Sequence, residues 1–288
     1  MWFRQAQPPV VEWPKAVSKP LYKEIYMKHS KTLAVLTALT IFAGSAFADA
    51  KGTEIMTTVA DFKKPSYSRS QVIMSLQDKD GTKEDRQIIE YGKEADGKTY
   101  VVMDFKGPAN VKDTRFLQIT NDNGPDDKFI YLPSLKSVRR VNSSEGSKSF
   151  MGSDATYDDL STRDISEDDH QYLREESITV ESGVTYDCYV IKEVPFDKKG
   201  TQYNYRMVWV DKATMYPIHT EMYDKNDKLV KVLEVLNIQK IDGYDMPMEN
   251  KLKNVQTGHS TTLKILKVEV DKALPDRVFT QNFLTTGK

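Results

Sequence analysis

Residues that could do catalytic or metal chemistry are few in this sequence and stand far apart. The four histidines are His29, His170, His219 and His259, and the single cysteine is Cys188. His219 and Cys188 lie in alternating, strand-like stretches, where structural histidines and buried cysteines outnumber metal ligands and nucleophiles. The sequence has no G-x-S-x-G or H-E-x-x-H motif, phosphate-binding glycine loop or dinucleotide fingerprint. We therefore predict no catalytic residue, no metal site and no cofactor, and we expect a binding protein rather than an enzyme.

Apolar side chains at alternate positions of two strand-like stretches are better candidates for a binding site. The first stripe is Val101, Met103 and Phe105, and the second is Tyr203, Tyr205, Met207 and Trp209. Alternation places each stripe on one face of its strand. Either stripe could line a cavity for acyl chains or belong to an ordinary filled core, and a register error of one residue would turn it to the other face.

Two adjacent arginines could supply the polar end of such a cavity. Arg139 and Arg140 alternate across a predicted strand, so only one of them can face inward. A guanidinium at a cavity mouth could pair with a phosphate or carboxylate headgroup. Two solvated strand charges are an equally open interpretation.

Strand-forming runs, separated by turn dipeptides such as Asp80-Gly81 and Asp242-Gly243, dominate the sequence. The predicted strands are 68–78, 85–92, 98–106, 114–120, 128–132, 137–141, 184–194, 202–210, 217–224, 228–241, 246–255 and 261–271. Sequential strands with short turns predict a mainly β protein with a large curved antiparallel sheet or an open barrel.

Helical patterns are sparse. Apolar residues at spacings of three and four predict an amphipathic helix over Lys51–Phe62, and two further helices are predicted around 157–160 and 168–176. The segment 142–169 interrupts the strands and is typical of a functional loop or lid. Within it, a Gly-Ser-Asp turn is expected to cap the short helix at 157–160. The residues of this predicted lid motif are Met151, Gly152, Ser153, Asp154, Tyr157 and Leu160.

The N-terminal part of the sequence has the pattern of a secretory signal peptide. A basic segment, Met-Lys-His-Ser-Lys, begins at Met27, an apolar run covers 33–44, and Ala46-Phe47-Ala48 follows. The run is too short to span a bilayer comfortably, and the Ala-x-Ala ending is typical of a cleavage site. A buried core helix is the less favoured alternative because of the basic flank. We predict a signal peptide over 27–48, cleaved before Asp49.

This prediction divides the chain into three parts. Residues 1–26 precede a complete signal and are expected to be a non-native upstream extension, and residues 49–288 are expected to form a single domain. No cysteine lies near the cleavage site, so the mature N-terminus is not expected to carry lipid. With no second hydrophobic span, the mature protein is expected in the periplasm.

The charge balance argues against nucleic acid as a partner. The whole chain has 41 basic and 42 acidic residues, but residues 1–48 hold six basic and two acidic ones. The predicted mature domain therefore has 35 basic and 40 acidic residues, a net charge of −5. A nucleic-acid binder ordinarily has the opposite bias, because phosphate contacts need clustered lysine and arginine.

Several sequence blocks resemble those of the outer-membrane lipoprotein-sorting protein family, which includes LolA-like and LolB-like proteins. The blocks are Phe129–Pro133, Val138–Val141, Ser149–Asp154, Tyr157–Leu160, Trp209–Asp211, Tyr216–Ile218, Tyr223–Asp224 and Asp276–Leu284. One departure is Ala155-Thr156, which stands where the family usually has an aromatic residue before Tyr157. The resemblance implies an incomplete β-barrel closed by short helices, with a hydrophobic cavity for acyl chains.

The resemblance also implies a role. It predicts a monomeric periplasmic carrier or chaperone that binds lipoprotein acyl chains or other lipids and delivers them towards the outer membrane. Its partners would be a membrane-bound donor and acceptor, among which an RND-type transporter is one candidate. The alternative is a lipid- or lipoprotein-sensing accessory subunit of a membrane complex, either an RND-type transporter or a signalling assembly.

Overall fold

The computed structural model describes residues 42–121 and 124–288, all within one structural unit. Their main feature is a single antiparallel sheet of thirteen strands. The sheet is not closed into a barrel, because its first and last strands in spatial order do not pair with each other. The expected mainly β fold with a large open antiparallel sheet is thus confirmed.

In the described part of the chain, two α-helices and three short 3₁₀ turns accompany the sheet. The helices are α1 (Phe42–Ala60) and α2 (Gln281–Thr286), and the 3₁₀ turns are Ser143–Glu145, Ile165–Glu167 and Asp276–Phe279. The strands are β1 (Tyr67–Gln77), β2 (Lys83–Ala95), β3 (Lys98–Gly107), β4 (Arg115–Ile119), β5 (Asp127–Leu132), β6 (Ser137–Arg140), β7 (Asp168–Thr179), β8 (Thr185–Pro195), β9 (Tyr205–Asp211), β10 (Pro217–Tyr223), β11 (Leu229–Ile241), β12 (Tyr244–Asn254) and β13 (Ser260–Val270).

The order of the strands places the two halves of the chain side by side. From β1 the chain proceeds strand by strand to β6 at one edge, then restarts with β7 at the opposite edge and returns to β13. The ladder between β1 and β13 joins the first half-sheet, β1–β6, to the second half-sheet, β7–β13, with Ser68 opposite Val270 and Gln77 opposite Ser260. One connection, residues 141–167, must therefore cross the whole sheet; we call it the crossing segment.

Twelve of the thirteen strands lie at the predicted places, but β7 is a correction. The segment 168–176 was expected to be a helix, and it pairs with β8 instead, with His170 opposite Glu193. Charged residues populate β7 because it is an edge strand. A bulge between Tyr172 and Arg174 also interrupts the alternation of its side chains.

Helix α1 lies against strands β7, β8 and β9. Its apolar side chains Ile55 and Met56 are buried against Ile191 and Val208. Gly52 permits the close approach, since a Cβ there would lie 2.1 Å from the carbonyl oxygen of His170. The helix starts at Phe42 rather than at Lys51, so it runs through the predicted cleavage position. Residues 1–26 and the part of the predicted signal before Phe42 lie outside the described residues.

The crossing segment packs on the same face of the sheet as α1, and we call this the inner face. Phe150 and Tyr157 of the segment are buried against Phe105 and Phe116. Side chains from seven strands hold the segment: Arg86 of β2, Gln118 of β4, Lys128 of β5, Arg139 of β6, Asp168 of β7, Lys231 of β11 and Thr261 of β13.

The helix expected at 157–160 is a further correction, because the structure has turns there. The backbone N–H of Tyr157 donates to Lys148 at 3.2 Å, and that of Asp158 donates to Gly146 at 2.9 Å. Both donors thus pair with an earlier part of the crossing segment rather than with a helical turn. Asp159 accepts a hydrogen bond from the N–H of Thr156 and keeps the turn tight.

The opposite face of the first half-sheet is covered by the C-terminus. Val102 and Leu117, which alternate with Met103 and Phe116, pack against Phe283 and Leu284 of α2. Arg115 donates to the carbonyl oxygen of Leu284 at 3.0 Å and fixes the helix in place. None of the helices within 42–121 and 124–288 is both long and apolar enough to cross a bilayer.

The Phe150→Ala substitution should lower the free energy of unfolding by about 3–5 kcal/mol. The side chain is 1% exposed, and its loss leaves a cavity between two phenylalanines and a tyrosine. The matched Phe196→Ala variant, at a side chain 69% exposed, should change the free energy of unfolding by less than about 0.5 kcal/mol. Urea denaturation measures both. Equal stability of the two variants would contradict the assignment of the crossing segment to the core.

Candidate ligand cavity

A cavity of about 540 Å³ lies between the C-terminal end of α1 and the inner face of the sheet. Strands β2 and β3 line it on one side, β8, β10 and β12 on another, and Thr162–Ile165 of the crossing segment closes one end. Its volume falls within the range of about 300–1,000 Å³ that is usual for small-molecule sites.

The walls of the cavity are mostly apolar. Its apolar side chains are Met56, Val59 and Phe62 from the helix and the turn after it, Val101 from β3, Ile165 from the crossing segment, and Met215, Tyr216 and Met246 from the second half-sheet. The rings of Phe62 and Tyr216 meet edge to face, with centroids 5.4 Å apart. Methionine side chains adapt to ligands of different shape because they are unbranched and flexible.

Gly92 keeps part of this space open. It lies on the cavity side of β2, opposite Ser68 of β1 and Val101 of β3. A Cβ at this position would lie 2.4 Å from Oγ of Ser68. Any larger residue there would push into the neighbouring strand or into the cavity.

A buried ionic group forms the end of the cavity near β7. Asp168 accepts hydrogen bonds from Nε and Nη2 of Arg163 at 2.6 and 2.9 Å. His170 lies between the carbonyl oxygen of Ile165, 3.1 Å from Nε2, and Glu193, 3.7 Å from Nδ1. Burial raises the pKa of Glu193, and the facing Arg206 opposes that rise. These contacts fasten the crossing segment to β7 and leave little of the group available to a ligand.

Glu90 is the exception among the carboxylates of the cavity. It is half-buried on the inner face of β2, between Ser70 of β1 and Met103 of β3 in the ladder. Within the described part of the chain it has neither a hydrogen bond nor an ion pair. Burial raises the pKa of its carboxyl to about 6. A carboxyl group in this position can accept a hydrogen bond from whatever fills the cavity.

A second cavity of about 540 Å³ lies on the other side of Thr162–Ile165 and is mostly polar. Lys128 and Asp158 line it, and Nζ of Lys128 donates to Oγ of Ser161 at 2.5 Å. Burial lowers the pKa of Lys128 and raises the pKa of Asp158. Its walls expose more polar than apolar surface, whereas those of the first cavity are mostly apolar, so the first cavity is the better candidate for an apolar ligand.

The first predicted stripe lies on the inner face. Val101 lines the first cavity. Met103 and Phe105 point the same way but pack against the crossing segment, in the cluster around Phe150. One residue of the stripe therefore meets the cavity, and the other two belong to the filled core beside it.

The second predicted stripe is divided, and most of it lies on the other pleat. Met207 and Trp209 pack with Cys188 and Val190, whereas the residues that alternate with them, Val208 and Val210, face α1. Tyr205 stacks on Tyr223 with centroids 4.5 Å apart. Both faces of β9 are apolar, so alternation alone could not tell which of them faces the helix.

Tyr203 precedes β9 and is 2% exposed. Its hydroxyl donates to Asp159 at 2.8 Å, and Nζ of Lys231 donates to the other oxygen of that carboxylate at 2.7 Å. Tyr203 therefore helps to hold the crossing segment and does not line the first cavity.

The remaining predicted residues have structural partners. Arg139 pairs with Glu145 at 2.8 Å and Arg140 pairs with Asp127, and neither arginine lines the two cavities described above. Asp154 of the predicted lid motif binds β13, where its Oδ2 accepts from Oγ1 of Thr261 at 2.7 Å. The other residues of that motif, Met151, Gly152, Ser153, Tyr157 and Leu160, belong to the packed crossing segment.

Sequence reasoning missed Glu90. It is a single acidic residue in a strand that contains other charges, and no local pattern distinguishes it. The apolar wall that α1 contributes could have been predicted, because Met56, Val59 and Phe62 belong to the apolar face of the predicted amphipathic helix.

Glu90 should make stability fall as pH rises from about 4.5 to about 6. A pKa that is higher in the folded state favours the protonated form, so its stabilisation is full at low pH and is lost above the folded-state pKa. Across this interval, the free energy of unfolding of the wild type should fall by about 2 kcal/mol relative to that of Glu90→Gln. Urea denaturation of both proteins between pH 4 and 8 measures this; parallel pH curves would contradict the buried position of the carboxyl.

Several solved structures share this fold, among them the three that follow. An outer membrane lipoprotein-sorting protein domain from Vibrio parahaemolyticus is 31% identical, with a TM-score of 0.75 over 82% of this chain and 99% of that chain. A DUF1329 family protein from Desulfovibrio piger is 29% identical, with a TM-score of 0.76 over 82% and 99% of the two chains. A LolA superfamily protein from Nitrosomonas europaea, 17% identical, has a TM-score of 0.60 over 81% and 98%, a likeness that shows the fold alone.

A protein-family model described as an uncharacterized protein matches residues 97–286, which is most of the chain. No protein in the curated set matches the sequence. The likeness to the Vibrio domain extends over nearly all of that domain and over both half-sheets of this fold. The chain therefore belongs to the outer-membrane lipoprotein-sorting protein family.

Proposed function

We propose that this protein is a carrier that takes an acyl chain into the cavity under α1 and passes the lipidated ligand to a membrane-bound acceptor. The observation that carries the proposal is the cavity itself: about 540 Å³, with mostly apolar walls, between a helix and the inner face. Membership of a lipoprotein-sorting family and a LolA-like fold support a lipid or lipoprotein as the cargo.

The energetics of acyl-chain transfer suit such a cavity. Each methylene removed from water contributes about 0.8 kcal/mol, so a free chain crosses an aqueous compartment poorly. A carrier must bind the chain and also release it. A cavity that encloses part of a chain and leaves the rest near its mouth would meet both needs, because an acceptor can then compete for the exposed part.

Export to the periplasm is part of the proposal. Cleavage after Ala48 would remove the first turns of α1 but keep the residues that pack on the sheet, Ile55, Met56 and Val59. The shortened helix would begin at Asp49, whose carbonyl oxygen already accepts a hydrogen bond from Thr53 at 2.9 Å. The helical wall of the cavity would therefore remain in the mature protein.

Filling the cavity should weaken ligand binding. Val101→Trp and Val59→Trp place an indole in the cavity from β3 and from α1, and each should weaken binding of the neutral fluorophore N-phenylnaphthylamine at least about tenfold. The control Val184→Trp, at an exposed turn position, should bind as the wild type does. Native mass spectrometry of protein purified from periplasm should also find bound lipid. Ligand-free protein together with no binding of the fluorophore would overturn the proposal.

Expression in a bacterium with two membranes should yield a mature protein that starts at Asp49. Intact-mass measurement of the periplasmic protein locates the new N-terminus. Ala48→Pro should block processing, since signal cleavage needs a small residue next to the cut, and Ala50→Pro serves as the control just beyond it. Recovery of a chain that keeps residues 27–48 would contradict the proposed export.

A further inference from the structure

We infer that Glu90 is the polar recognition point of the cavity and selects an amphiphile whose inner polar group donates a hydrogen bond, an ammonium or a hydroxyl. The inference deepens the proposed function and rests on it, because it names the ligand class that the same cavity would take. It stands on where Glu90 lies and on what surrounds it.

Glu90 lies beside the apolar wall rather than at the outer edge of the sheet. Its ladder neighbours on the inner face are Ser70, which is 2% exposed, and Met103, which packs against the core. The next inward position of β2 is Gly92, which has no side chain to fill the space beside the carboxyl. A ligand that enters the cavity can therefore reach this carboxyl group.

Each of the other carboxylates along the cavity already has a partner. Asp168 binds Arg163, and Glu193 faces His170 and Arg206. The remaining three carboxylates also have partners: Glu94 accepts from Thr99 at 2.7 Å, Asp164 accepts from Ser166 at 2.8 Å, and Asp245 lies 3.6 Å from Lys240. Among the described residues, Glu90 is the one carboxylate along this cavity that has neither a hydrogen bond nor an ion pair.

The lysines of the cavity, unlike Glu90, are exposed to water or already paired. Lys63 and Lys64 are exposed at the end of α1, and Lys93 binds Asp276 at 2.7 Å. An anionic headgroup would thus meet lysines at the mouth, in contact with water, where ion pairs contribute little. A donor at the inner end of a ligand would meet Glu90, where burial strengthens a hydrogen bond to a charged group. The raised pKa of Glu90 agrees with a carboxyl group that lacks a cation.

Three amphiphiles with the same chain test the inference: dodecylamine, dodecanol and dodecanoate. Each competes with N-phenylnaphthylamine for the full mature protein at about pH 8, where the carboxylate is ionised and the amine is protonated. In the wild type, dodecylamine should bind about tenfold more tightly than dodecanoate, with dodecanol between them. The amine arm and the alcohol arm distinguish the two kinds of donor.

Two variants locate the effect. Glu90→Gln should reduce the ratio of amine to carboxylate affinity about tenfold and leave dodecanol little changed, since an amide oxygen still accepts a hydrogen bond. The control Glu94→Gln, whose carboxylate already has a donor in Thr99, should keep the wild-type ratio. Because the readout is a ratio within one variant, a general loss of stability would not imitate it.

The outcomes separate the two proposals. If the fluorophore binds but the three amphiphiles compete equally, or if Glu90→Gln keeps the wild-type ratio, the assignment of Glu90 is wrong and the carrier proposal stands. Tighter binding of dodecanoate than of dodecylamine would also overturn the assignment. If neither the fluorophore nor any amphiphile binds, the carrier proposal fails and the assignment of Glu90 fails with it.

Discussion

The crossing of one segment over the sheet is the constraint on which the rest of this structure depends. Strands β6 and β7 follow each other in the chain but lie at opposite edges of thirteen strands. The connection between them has to pass over a face of the sheet, and its apolar side chains Phe150 and Tyr157 then fill that face. A segment with two short 3₁₀ turns, and no α-helix or long strand, thus completes the core of the first half-sheet.

The cavity exists where the crossing segment and α1 leave the inner face uncovered. The segment fills the space over Met103 and Phe105, and its Ala155 packs together with Tyr203 against Met222 and Leu252. Helix α1 covers Ile191, Val208 and Val210. Between these two coverings, Val101, Glu90 and Met246 remain beside empty volume. The site is mostly apolar because it lies on a core-facing surface of the sheet. Its polar recognition point is the carboxyl group of Glu90, which has no partner among the described residues.

Local sequence patterns predicted most of the strands, because alternation and turn dipeptides are local signals. They failed where a longer-range contact decides the outcome. Edge strand β7 is polar enough to look helical, and only its pairing with β8 makes it a strand. Strand β9 is apolar on both faces, so the packing of α1, and not the pattern, decides that Val208 rather than Trp209 faces the helix. The role proposed for Glu90 depends on the empty volume beside its side chain, and a single sequence does not reveal that volume.

The two walls of the cavity are held in different ways. Directional hydrogen bonds and ion pairs from seven strands fix the crossing segment. Helix α1 is held to the sheet mainly by apolar packing; within the described residues, the ammonium of Lys51 adds an exposed ion pair with Glu175 at 3.4 Å and lies 3.8 Å from the centre of the Tyr172 ring. Apolar contacts do not depend on direction, so a helix held mainly by them can tilt while breaking few specific bonds. A thicker or longer ligand would therefore be accommodated by movement of the helix, while the sheet and the segment across it keep their shape.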